Sequence, residues 1–202
     1  MQHDRDAATA HGGDAFGRPL LVGARCRLAP LEPSDLPKTL AWRRDPELRR
    51  RQLGHRFPAS EADEARWLEG MSAFAHDRAV FAIRPSAVPG MLGYCSLAGI
   101  DWVSRTAEVG VVVGDAAARG TGVGREATAL LVRYAFDDLG LGRVWARVAA
   151  ANAAALRMFR GLRFRDEGLL RAHAMVGGRP MDVALLGLLS DERDGIDGAL
   201  DG

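Results

Sequence analysis

Along this chain apolar positions alternate with polar ones in some stretches and recur every three to four residues in others, and the changes of period mark out the elements. Residues 20–28 read as a first strand. Ser34 and Asp35 form a natural helix N-cap before Leu36, Leu40, Ala41 and Trp42, and Pro46 starts a short second helix over residues 47–52. Ser60 with Asp63 makes a capping box ahead of Leu68, Met71 and Ala75, which predicts a third, amphipathic helix. Residues 80–83, 91–100 and 106–113 are strand-like, punctuated by Pro89-Gly90 and ended by Gly114-Asp115, and they predict an antiparallel meander. The period then lengthens: Val123, Ala127, Leu130, Leu131, Tyr134 and Ala135 mark a helix that ends near Gly140. A strand over 144–148 follows, then a helix opened by Asn152 and bearing Ala155, Leu156, Phe159 and Leu162. Residues 164–175 and 181–188 close the chain as a strand pair around Gly177-Gly178. A strand–helix–strand–helix run inside a hairpin-rich chain predicts an α/β (α+β) fold, a mixed central sheet with helices on both faces.

Length and composition narrow this picture. The 202 residues suffice for one domain with a real core, and 48% hydrophobic with 26% charged residues is a globular composition. Residues 1–18 hold no apolar run of signal-peptide or membrane-span type, and read as a flexible N-terminal tail of a cytoplasmic protein. Beyond 190, Asp191, Glu192, Asp194, Asp197 and Asp201 face only Arg193 among interspersed glycines, so 191–202 reads as an acidic flexible tail and 19–190 as the folded domain. Twenty-seven basic against 26 acidic residues leave a formal charge of +1, so no bulk field attracts nucleic acid or a membrane, and a dedicated polyanion binder is disfavoured. Lys38 is the sole lysine, which excludes a Walker-type phosphate loop. Cys26 and Cys95 are too few for a disulfide framework, and no His or Cys pair has metal-ligand spacing, so no metal is expected.

The segment Arg119-Gly120-Thr121-Gly122-Val123-Gly124 joins the strand ending near Val113 to the helix beginning near Val123. Glycines there let successive backbone N–H groups point into one concavity, and the helix start adds about half a positive charge, so a diphosphate fits; the competing reading is a bare glycine-rich turn. The dinucleotide fingerprint fails, because counting from Gly120 its last glycine falls on Arg125. R-x-x-G-x-G at this junction resembles the coenzyme A pyrophosphate loop of the GNAT N-acetyltransferase superfamily. The segments RCRLAPLEPSDLPKTLAWRRDPELRR, IDWVSRTAEVGVVVGD and VAAANAAALRMFRGLRF resemble, in order, elements of its ribosomal-protein N-terminal acetyltransferase (RimJ/RimL-like) branch, and the likeness runs from Arg25 to Leu188. The resemblance implies the GNAT acyl-CoA N-acyltransferase fold with its fourth and fifth strands splayed apart. It further implies acetyl-CoA as co-substrate, held by Val111, Val112, Val113, the loop residues Arg119, Gly120, Thr121, Gly122, Val123 and Gly124, and by Asn152 and Phe159.

Amine acetylation needs a base for the amine and a proton for the leaving thiolate. Glu108, on the fourth strand eleven positions before Arg119, is where superfamily members with a glutamate base carry it; the competing reading is a strand glutamate paired with Arg105. Asn152 fits pantetheine contact and helix capping equally. Phe159 stands where many members have a tyrosine acid, which leaves the acid unassigned among water, Tyr94, Ser96 and Cys95, while Arg163 replaces a glycine usual in the family. Trp42, Asp101, Trp102 and Ser104 are candidate acceptor-lining residues, and the last three fit a plain strand connection equally well. Arg43, Arg44, Arg49, Arg50, Arg51 and Arg56 form either a solvated face or a patch for an acidic substrate or ribosomal RNA, and the five histidines form no constellation. The expected activity is direct acetyl transfer from acetyl-CoA to a primary amine: a protein or peptide N-terminus, polyamine, aminoglycoside or amino sugar. The expected protein is a monomer or homodimer without nucleic-acid or membrane partners; the alternative is a non-catalytic acyl-CoA-binding module.

Overall fold

The computed structural model describes residues 21–53, 58–73 and 75–200. The expected tail at 1–18 lies outside these residues, as do His55 and Arg56. Strand β1, Cys26–Ala29, is shorter than the apolar run that predicts it, and an isolated bridge from Val22 to Arg27 precedes it. A 3-10 turn, Pro33–Asp35, leads into α1 (Leu36–Arg44), α2 (Pro46–Arg51) and α3 (Glu61–Ser72). The meander follows as β2 (Arg78–Pro85), β3 (Gly93–Asp101) and β4 (Thr106–Val113). Then come α4 (Val123–Asp137), β5 (Arg143–Ala149), α5 (Ala153–Gly161), the hairpin β6 (Arg165–Val176) and β7 (Arg179–Leu189), and α6 (Asp194–Leu200).

Capping chemistry explains several helix starts. Ser60 and Asp63 exchange side-chain and backbone hydrogen bonds as the capping box predicts, and Asp45 accepts from the amide of Glu47 at 2.8 Å to open α2. Asp35 does otherwise. Its carboxylate accepts from the Glu32 amide at 2.9 Å and from the Arg84 guanidinium at 2.8 and 3.1 Å, pinning the turn to β2 instead of capping α1.

The seven strands form one sheet in the order β1-β2-β3-β4-β5-β7-β6, antiparallel except between β4 and β5. Alternation assigns its faces. Ile83, Cys95, Leu97, Ala107, Val109, Val144, Ala146, Val148, Leu186 and Leu188 point to one side, where α4 and α5 complete the main core. Val80, Ala82 and Tyr94 point to the other side and pack with Leu31, Leu68, Trp42 and Trp67 from the α1–α3 layer. Helices therefore cover both faces, as the sequence predicts.

One expectation fails at the C-terminus. The stretch 191–202 reads as a solvated tail, but its residues 194–200 form α6, which packs on α4 with Ile196 fully buried and Ala199 6% exposed. Ile196, Ala199 and Leu200 recur at helical spacing, and Arg193 pairs with Asp137 of α4, so apolar burial outweighs the acidic composition. Ala75 lies beyond the end of α3.

Candidate functional site

β4 and β5 pair only through Thr106 with Arg143, Ala107 with Val144 and Glu108 with Trp145. Beyond this short ladder no rung joins them, and the gap opens toward the start of α4. There Gly120 and Gly122 take φ of 78° and 93°, values that favour glycine, and Gly122 is the N-cap of α4. The first amides of a helix have no carbonyl of their own helix to bond, so this turn offers donors to an anion. Gly124 permits a close approach: a Cβ there would lie 3.1 Å from a Val113 methyl and 3.6 Å from the Met158 sulfur.

Between this loop, the end of β4, α5 and α2 lies a cleft of about 540 Å³. It brings together Val111, Val112, Val113, Arg119, Gly120, Gly122, Gly124 and Asn152 from the expected set. Three other expected members do not line it. Thr121 turns its hydroxyl to the carbonyl of Ala118 at 2.7 Å, Val123 is 6% exposed in the main core, and Phe159 is 3% exposed, packed edge-on against Phe164 with ring centroids 5.0 Å apart. Arg119 is braced rather than free: it donates to the carbonyls of Val113 at 3.2 Å and Gly114 at 2.8 Å, with Asp45 and Glu47 at 3.8 and 3.9 Å. Asn152 caps α5 by accepting from Ala155 N at 3.1 Å, and its amide nitrogen reaches toward the carbonyl of Arg51 at 3.5 Å.

The cleft also recruits residues that local pattern did not single out, namely Arg125, Arg157, Met158 and, from α2, Leu48 and Gln52. Arg51, assigned in sequence to a solvated or RNA-facing cluster, is a cleft residue as well. Ala154, Ala155 and Met158 share one face of α5, which is the legible signal there; nothing local links Arg51 to a loop seventy residues away.

Glu108 stands at the last rung of the β4–β5 ladder, on the sheet face opposite α4. Its carboxylate is held in a fork by Arg147 of β5, Nε and Nη2 each donating at 2.9 Å, and not by Arg105, whose guanidinium donates to the carbonyl of Gly140. The carboxylate in turn holds the Arg147 guanidinium above its ordinary pKa. Ser96 lies opposite Gly110 on the same face, and a Cβ on Gly110 would come within 3.0 Å of its hydroxyl oxygen. Burial raises the thiols of Cys26 and Cys95 far above the usual range, so neither is a thiolate nucleophile, and burial likewise pushes the Tyr94 phenol up.

The other acceptor candidates scatter. Asp101 accepts from the amides of Val103 and Ser104 at 2.9 Å and from the Ser104 hydroxyl at 2.7 Å, an Asx-type turn that holds its carboxyl below the usual range. Trp102 donates its indole N–H to the carbonyl of His76 at 2.7 Å. These three make a strand connection away from the cleft. Trp42 lies beside it, packed so tightly on the end of β4 that a Cβ at Gly114 would meet its ring at 2.1 Å. Among the described residues no group of His, Cys, Asp and Glu is arranged to hold a metal ion, and no helix is long and apolar enough to cross a membrane.

A family model described as the acetyltransferase (GNAT) domain matches residues 25–165. The chain is 33% identical to an uncharacterized N-acetyltransferase, p20, of Bacillus licheniformis over 57% of its own length and 64% of that protein's, just under two thirds. It is 26% identical to alpha/beta-tubulin-N-acetyltransferase 9 of Mus musculus, over 73% of this chain and 64% of that one. Among solved structures, a GCN5-related N-acetyltransferase from Brucella melitensis superposes with a TM-score of 0.73 at 25% identity, covering 90% of this chain and 83% of that one. Spermidine N-acetyltransferase from Vibrio cholerae, solved with CoA and spermine, shares the fold with a TM-score of 0.78 at 20% identity, covering 84% of this chain and 98% of that one.

Proposed function

Because the chain belongs to the GNAT acetyltransferase family, we propose that it transfers an acetyl group from acetyl-CoA directly to a primary amine. The observation that carries this reading is the cleft at the splayed ends of β4 and β5, where a glycine loop, a helix N-terminus and the side chains of Arg51, Arg125 and Arg157 converge. That set suits a donor with a diphosphate and a further phosphate: backbone amides of residues 122–125 take the diphosphate, and the three arginines supply charge. Arg119 holds the loop against β4 rather than gripping phosphate. The edge of β4 past the last rung, at Val111, Val112 and Val113, leaves backbone groups for an extended pantetheine arm.

Glu108 is the base in this reading. A carboxylate has about four lone-pair sites on its two oxygens. Arg147 occupies one on each oxygen, so sites remain for the amine proton, directly or through water. The amine nitrogen forms the new C–N bond to the acetyl carbon, the C–S bond breaks with its electron pair going to sulfur, and the amine proton passes to Glu108. A thiolate is a tolerable leaving group near neutral pH and takes its proton from water. Phe159 supplies nothing to this step, since it is a core residue.

Release of coenzyme A thiol from acetyl-CoA tests the proposal, with pooled acceptors: peptides with free N-termini, polyamines, aminoglycosides and amino sugars. Thiol release in one pool is expected, together with a rise in melting temperature on adding acetyl-CoA. Glu108→Gln is expected to lower kcat by roughly 10²–10⁴-fold while keeping that thermal shift. Silence in every pool without a shift overturns the proposal.

A further inference from the structure

Resting on that reading, the acceptor face itself carries chemistry. On β5 the residues Arg143, Trp145 and Arg147 alternate onto the sheet face that carries Glu108, and the Arg147 side chain stays exposed there. Each arginine is forked to a carboxylate: Arg147 to Glu108, and Arg143 to Glu167 of β6. Gly187 on β7, opposite Trp145, makes room for the second pair, since a Cβ there would lie 2.3 Å from a Glu167 oxygen and 2.6 Å from Arg143 Nη1. The face is therefore locally neutral, and both of these carboxylates are already matched by a cation. A polycationic acceptor gains little from it, because among the described residues of β4 and β5 a second ammonium finds no unmatched anion beside the first.

An arginine has five N–H donors, and the Glu108 fork uses two of Arg147's. Three remain on a side chain that is 41% exposed and stacks its guanidinium 5.8 Å from the Trp145 ring centroid. Beside the base there is thus a partly satisfied, aromatic-backed guanidinium whose open edge suits a carboxylate. We propose that the acceptor carries a carboxylate next to its amine, the amine meeting Glu108 and the carboxylate meeting the open N–H edge of Arg147. Two sources share this chemistry, a free α-amino acid and an acidic N-terminal residue of a peptide.

The test is thiol release across an acceptor series at fixed acetyl-CoA: glutamate and aspartate as free amino acids, C-terminally amidated peptides beginning with Asp, Ala or Lys, and spermidine. Carboxylate-bearing amines are expected to lead the series in kcat/KM. An amidated Asp peptide outperforming its Ala counterpart identifies the side-chain carboxylate as the recognised group, and free amino acids alone leading identifies the main-chain one. Arg147→Ala is expected to raise KM for the preferred acceptor by roughly ten- to a hundred-fold, and to flatten the charge preference across the series. Arg147→Lys should recover part of it. The thermal shift with acetyl-CoA shows that each variant is folded and still takes the donor. Spermidine matching or beating the anionic acceptors, or a charge preference unchanged in Arg147→Ala, overturns the inference while leaving the acetyltransferase reading standing. No release from any of these acceptors also overturns the inference, and it defeats the acetyltransferase reading only where the wider acceptor pools are silent too and acetyl-CoA gives no thermal shift.

Discussion

Glu126, on the first turns of α4, is 2% exposed and holds the start of β1 in place. Its carboxylate accepts from the amides of Ala24 at 3.0 Å, Arg25 at 2.8 Å and Cys26 at 2.8 Å, with the Arg25 guanidinium at 3.6 Å. Removing it by Glu126→Ala leaves three donors without their acceptor. The Cys26 amide is fully buried and costs about 1–3 kcal/mol when orphaned; the other two are part-buried and recover some bonding from water, so each loses about 1 kcal/mol. The sum is roughly 3–5 kcal/mol. For a domain of this size each kcal/mol moves the midpoint by about 2–4 °C, so a fall of roughly 10 °C is expected. Glu126→Gln keeps the shape and one acceptor oxygen, but presents an N–H where the Ala24 amide also donates, and should fall between the two. Thermal denaturation followed by far-ultraviolet circular dichroism measures this. Because Glu126 directly follows the amides assigned to the donor diphosphate, acetyl-CoA affinity should drop in step with stability. A Glu126→Ala protein melting within about 2 °C of the parent would refute the idea that these three bonds hold β1 to α4.

Three further outcomes follow from the cleft and the core behind it. Gly124→Ala puts a methyl 3.1 Å from Val113 and 3.6 Å from the Met158 sulfur, at the cleft wall. Because Ala is better than Gly in a helix by roughly 0.5–1 kcal/mol, its melting temperature should hold while its Kd for acetyl-CoA rises; calorimetry showing unchanged affinity contradicts the placement. The double variant Arg51→Ala, Arg157→Ala should weaken acetyl-CoA binding by roughly ten-fold and flatten the dependence of Kd on ionic strength, and an unchanged salt slope argues that neither arginine meets phosphate. Phe159→Tyr should not restore a missing acid: a hydroxyl buried against Phe164 costs about 1–3 kcal/mol without a partner, so the midpoint falls and kcat does not rise. A higher kcat at unchanged stability would show that the ring edge reaches the cleft.

The elements were legible in the sequence wherever one period ran long enough. Residues 106–113, the Ser60–Asp63 capping box and the α4 stripe at Val123, Ala127, Leu130 and Leu131 all fold as their spacing predicts, because each depends on neighbours within a few positions. What stayed hidden are pairings across the chain. Asp35 finds Arg84 49 residues away, Glu126 finds its amides about a hundred residues back, and Glu108 finds Arg147 because β5 lies parallel beside β4. Arg105 was the nearer partner in sequence, but its backbone at φ 55° turns it toward the carbonyl of Gly140. Composition misled at the C-terminus for a related reason. Five acids outnumber three apolar residues there, yet Ile196 and Ala199 are buried against α4 while Asp191 and Asp194 stay exposed, where a charge costs little.

Net charge concealed more than any single residue did. A formal charge of +1 argues against a protein coated in nucleic acid, and it says nothing about how charge is partitioned over the surface. Two groups of arginines bear on the site. Arg84, Arg143, Arg147 and Arg160 are each forked to one carboxylate and contribute almost no field beyond their partner. Arg125 and Arg157 line the cleft with no ion pair among the described residues, and Arg51 lines it paired only to the exposed Glu47. Arg119 beside them is itself balanced by Asp45 and Glu47. At the site itself, arginines without a buried carboxylate partner line the cleft proposed for the donor, while Arg147 and Arg143 beside the Glu108 face are each matched by a carboxylate. In the proposed reaction the donor at that cleft and the acceptor at Glu108 must converge at β4, where its ladder with β5 ends.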